Sequence, residues 1–77
     1  MFDYNICNQA DEKLFEKQCR ALELKIPNLQ ASNLLEDVDG TLIQTYHHSN
    51  GEIKVINDTQ VDALYVISEF DLLPYFS

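Results

Sequence analysis

Seventy-seven residues allow one domain at most, and a chain this short buries only about 60% of the surface it exposes when unfolded. Its expected stability is about 4–11 kcal/mol, which leaves little to support a strained catalytic cavity. Thirteen acids stand against five bases for a net charge of -8, a field that argues against direct binding to nucleic acid or anionic membrane. The apolar fraction of 45% excludes an intrinsically disordered chain.

Phe2, Tyr4 and Ile6 alternate with Asp3, Asn5 and Cys7, so residues 2–6 are expected to form a short strand. Asn8 is a good N-cap for a helix over residues 9–25, with Asp11 three residues on in the manner of a weak capping box. Ala10, Leu14, Phe15, Cys19, Ala21 and Leu22 share one side of that helix. Glu12, Lys13, Glu16, Lys17, Arg20 and Glu23 share the other, with Glu16 and Arg20 in the favourable i,i+4 order. Pro27 ends the helix, because the residue before a proline is pushed out of the α region.

Residues 28–33 read as a connector, and Leu34 to Val38 as the first strand of a meander. Asp39-Gly40 and Asn50-Gly51 are the dipeptides that best tolerate type I′ hairpin turns. The stretch between them, Thr41 to His48, is rich in β-branched and aromatic residues, and Ile53 to Ile56 follows the second turn. Asn57 to Gln60 is a polar loop, and Ala63 to Ser68 is apolar on both faces, as a well-covered strand should be. In the tail, Leu72, Leu73, Tyr75 and Phe76 crowd around Pro74. They either close the open end of the core or offer an apolar patch to a partner. The expected fold class is α+β: one domain over residues 1–77, in which one amphipathic helix packs on an antiparallel meander of three to four strands. One sheet face is then left open.

Charge is unevenly divided. Residues 1–25 hold five acids and four bases, whereas residues 26–77 hold eight acids and one base, Lys54. Carboxylates beside aromatic anchors can dock on a basic groove, the charges speeding encounter and the rings supplying hot-spot energy. The candidate partner-binding set is Glu52, Asp58, Asp62, Glu69 and Asp71 with Tyr46, Tyr75 and Phe76. Plain solubility is the competing explanation of the acids. The basic stripe Lys13, Lys17 and Arg20 reads as an ordinary helix surface laced with acids.

Asp37-Val38-Asp39-Gly40-Thr41-Leu42 resembles the first signature of the haloacid dehalogenase phosphohydrolase superfamily, Asp-x-Asp-Gly-Thr after a buried strand. The resemblance implies Asp37 as nucleophile, Asp39 as general acid/base, and both as magnesium ligands. It also implies a doubly wound parallel sheet with a later Ser/Thr, a Lys and a second acidic pair. The thirty-five residues after the motif are too few for the remaining βα units, at about 30 residues each. The same acids miss the calcium-loop pattern. Adjacent strand residues such as His47 and His48 point to opposite faces and cannot chelate one ion, and their spacing from Cys7 and Cys19 fits no standard zinc pattern.

No signal peptide or apolar run of membrane-spanning length is present in these residues, and two cysteines suit a reducing, cytoplasmic setting. The sequence is therefore expected to be a non-enzymatic binding protein without a cofactor or metal. In its sharpest form it is a stoichiometric inhibitor or immunity-type protein for a basic, nucleic-acid-handling partner. It is expected to be a monomer or weak homodimer.

Overall fold

The computed structural model describes residues 1–76; Ser77 and the Phe76 side chain lie outside the description. In chain order the elements are β1 (Phe2–Cys7), α1 (Glu12–Lys25), β2 (Gln30–Ala31), β3 (Leu35–Glu36), β4 (Leu42–His48), β5 (Gly51–Asp58), β6 (Ala63–Ser68) and the single turn α2 (Leu73–Phe76). Every strand pairing is antiparallel, in the order β1-β6-β5-β4, and β2 and β3 both line the far side of β4. The α+β class stands, with one long helix, but six strands replace the expected three to four.

The extra strands have two sources. β1 folds back beside β6, closing the sheet through residues more than sixty positions apart. At the other edge, part of the expected connector and part of the expected first meander strand become two fragments of one broken edge. Sequence there shows no alternation, and the backbone does the pairing: Ser32 N–H donates to Thr45 O at 2.9 Å, while the Gln44 side-chain amide donates to Ser32 O at 2.7 Å.

The helix carries the chain from the β1 edge to the β4 edge. Fourteen residues span about 21 Å, close to the roughly 19 Å of four inter-strand steps. Asp11, not Asn8, is its N-cap, with extended backbone and a carboxylate accepting Lys13 N–H at 2.9 Å and Leu14 N–H at 3.1 Å. Residues 8–10 are held out of the helix by the sheet. The backbone N–H of Ala10 donates to Asp62 at 2.8 Å, and that of Asp11 to the buried Asn57 at 2.9 Å. Ile26 takes the extended geometry that Pro27 demands and ends the helix as the sequence implied.

Phe15, Cys19, Leu22 and Ile26 form the buried side of α1, against Leu42, Tyr46, Ile53, Val55, Leu64, Val66 and Leu72. Each large aliphatic chain so buried contributes about 1.5–3 kcal/mol. The tail closes this core: Leu72 is buried, and Phe70 and Tyr75 pack against it from partly exposed positions.

The two hairpin turns differ from the type I′ form, which needs positive φ at both central residues. In the first, Gly40 N–H donates to Asp37 O at 3.0 Å and Asp37 N–H to Thr41 O at 2.9 Å, and Gly40 alone has positive φ, +90°. In the second, His48 pairs with Gly51, so Ser49 and Asn50 are the loop and the positive φ, +138°, falls on the first residue of β5. A Cβ at Gly51 would stand 2.8 Å from the Glu69 Cβ, so glycine is needed there for close approach as well as for φ.

Candidate functional site

Strand register sorts the side chains into two faces. Leu42, Tyr46, Ile53, Val55, Leu64 and Val66 lie under α1. On the opposite face, Leu35, Ile43, Ile56 and Ile67 line an open groove with Met1, Thr45 and Lys54. Nothing among the described residues covers it. Glu52 and Glu69 line the same groove. Glu69 accepts Glu52 N–H at 2.6 Å and returns its own N–H to Glu52 O at 3.0 Å. His47 stands beside Glu52, Nδ1 to Oε1 at 3.3 Å, with its Nε2 at 2.7 Å from the Ser32 hydroxyl. Further along the face, Tyr65 donates to Asp58 at 3.3 Å, and Asp3, paired with Ile67 in register, adds another carboxylate. The face is thus an apolar strip rimmed by Asp3, Glu52, Asp58 and Glu69.

Of the residues named from sequence, Glu52, Asp58 and Glu69 come together on this rim. Asp62 does not: it sits at φ +55° in the β5–β6 loop and holds Ala10 N–H. Asp71 is on the tail, accepting the Tyr4 hydroxyl at 2.9 Å and Leu73 N–H at 3.0 Å. Tyr46 is corrected outright. It is 1% exposed on the helix-facing side, and its hydroxyl donates to Glu23 at 2.5 Å and toward Cys19 O at 3.4 Å. It shares strand parity with Leu42, so the register that buries one buries both. Tyr75 is half-buried, edge-to-face with Phe70 at 6.4 Å. Phe76 falls on a side chain outside the described residues. Ile43, Ile56 and Ile67 were missed as site residues. Their signal is parity: Glu52, Lys54 and Ile56 alternate along one side of β5.

The Asp-x-Asp-Gly-Thr resemblance does not extend to the fold. Its implied sheet is parallel, whereas here no parallel pair exists among the described residues, and the motif is a hairpin tip. Asp37 accepts Val38 N–H at 2.7 Å, and Asp39 accepts Thr41 N–H at 3.0 Å, which holds the Asp39 carboxyl below its ordinary range. Among the described residues, no three of His, Cys, Asp and Glu are placed to hold a metal ion. His48 turns from His47 to stack on Phe70 at 5.0 Å. Both cysteines are free, and burial pushes the Cys19 thiol up. The expected Glu16–Arg20 ion pair does not close; His47–Glu52 is the one ion pair among the described residues. No helix there is long and apolar enough to cross a membrane. No family model, curated protein or solved structure matches the chain.

Proposed function

We propose that the chain is a non-enzymatic binding module that docks a basic protein on the open face of its sheet. The observation that carries this reading is the uncovered isoleucine strip inside a rim of four carboxylates. Apolar area gives such a surface affinity, and the rim gives it orientation and encounter rate. The charge balance agrees: α1 holds three acids and four bases, so the excess negative charge belongs to the sheet and its loops. In its sharp form the module is a stoichiometric inhibitor or immunity-type protein, its carboxylates occupying the groove where a nuclease, toxin or phage-defence complex takes phosphates. Two free thiols are in keeping with a cytoplasmic setting.

The test is titration against basic nucleic-acid-binding proteins encoded beside it, with the double variant Asp3→Lys/Glu52→Lys. Neither carboxylate accepts a backbone N–H among the described residues, so the fold should tolerate both changes. Affinity is expected to fall at least about tenfold, mostly through the on-rate, and to weaken with salt. The control Glu12→Lys/Glu16→Lys makes the same change in net charge on the helix and should lose much less. Binding indifferent to salt, or lost equally in both double variants, would remove the sheet face from the account.

A further inference from the structure

The two edges of the sheet are unlike. The β4 edge is occupied by two strands of two residues each, β2 and β3, which leave no long template for pairing. The β1 edge has six residues, no proline and no lysine, and among the described residues nothing pairs with its outer side. A long, regular, unpaired edge invites another strand. It also carries a single charge, Asp3, in a chain of net -8, and Phe2 and Ile6 are each 41% exposed.

We propose that β1 pairs antiparallel with β1 of a second copy, about a two-fold axis perpendicular to the sheet at Tyr4. Such an axis keeps the two open faces on one side, so residues of one face must oppose residues of the same face and the register shifts only in steps of two. Centring on Asp3 sets two carboxylates opposite each other, which is unfavourable. Centring on Asn5 runs the ladder into the bulge between Asn5 and Cys7. Centring on Tyr4 sets Asp3 opposite Asn5 of the second copy on the open face. On the other face it brings Phe2 diagonally toward the second Tyr4, within reach of an aromatic ring. The strand is thus its own complement in one register, which favours a second copy over a foreign strand. The joined sheet would place two acidic groove faces side by side. This inference stands apart from the docking proposal, since it uses the sheet edge and not its face.

Sedimentation equilibrium of the whole chain, up to about 1 mM protein, tests it with Asn5→Asp and Asn5→Lys. Asn5→Asp puts a carboxylate opposite each Asp3 and should weaken the dimer roughly 2- to 30-fold; Asn5→Lys should tighten it by a similar factor, both effects shrinking with salt. Either change removes the Asn5–Asn8 side-chain bond of 2.6 Å, so a general disturbance of β1 would shift both variants the same way. A strict monomer overturns the proposal, as does a dimer that responds to neither variant or to both with one sign. Protection of β1 amides from exchange only when a different protein is bound overturns it in favour of a foreign strand.

Discussion

Tyrosine hydroxyls in this protein answer to carboxylates: Tyr4 to Asp71, Tyr46 to Glu23 and Tyr65 to Asp58. Burial pushes all three phenols up from their ordinary value near 10, and the adjacent carboxylates push the same way. A group with a raised folded-state pKa keeps a proton that the unfolded chain releases. Its stabilisation is fully present below the ordinary phenol pKa and is lost as pH climbs above it. Stability should therefore hold through neutral pH and fall above about pH 10. Tyr46→Phe should cost about 1–2 kcal/mol at pH 7 through the lost hydrogen bond to Glu23, and should flatten the alkaline fall. Urea denaturation from pH 7 to 11 on both proteins checks this; an unchanged slope in the variant would show that Tyr46 is not the titrating group that matters. The acids have local duties as well. Asp37, Asp39, Asp58, Asp62 and Asp71 each hold at least one backbone N–H, so part of the negative charge is turn chemistry, and Asp3 and Glu52 are left as the freest reporters of binding.

The elements divide by how local their signals are. α1 and the core of β4 to β6 were legible because period 3.6 and β-branched runs are written in consecutive residues. The cap was not. Asn8 and Asp11 are both competent N-cap residues, and the choice is made by Asn57 and Asp62, which draw residues 10 and 11 toward the sheet from about fifty positions away. The turn types were misread for a similar reason. Asp39 spends its side chain on Thr41 N–H and His48 spends its ring on Asn50 N–H, fixing turns in which only the glycines take positive φ. The broken edge of β2 and β3 is invisible in sequence because its pairing is main-chain and its side chains are exposed. It follows that Asp11→Ala should destabilise the domain by about 0.5–2 kcal/mol, while Asn8→Ala should cost at most about 0.5 kcal/mol. Equilibrium denaturation of the two variants decides which residue caps the helix; equal losses would return the cap to Asn8.

At the scale of the whole molecule, the antiparallel α+β layout and the open face were readable, but which carboxylates share that face was not. Membership depends on register, and register joins β1 to β6 across the entire chain. The same long-range arithmetic sent Tyr46 inward and brought Ile43, Ile56 and Ile67 outward. Charge, by contrast, is a property of composition, and here it acts against compactness. Thirteen acids meet five bases, yet His47–Glu52 is the one ion pair among the described residues, so repulsion between like charges is the dominant long-range term. Raising ionic strength from about 0.01 to 0.15 M shortens the screening length from about 30 to 8 Å, well inside the 32 Å long dimension of the molecule. Screening should then remove more repulsion than attraction, and the denaturation midpoint should rise with sodium chloride over this range. Sucrose series run at low salt separate this from preferential exclusion, which strengthens burial without screening charge. The double variant Asp3→Lys/Glu52→Lys lowers the net charge from -8 to -4, since each reversal adds two units, and should show a shallower rise. A midpoint that falls with salt would mean that attractive contacts outweigh the repulsion, and that the acidic rim is held by the fold rather than tolerated by it.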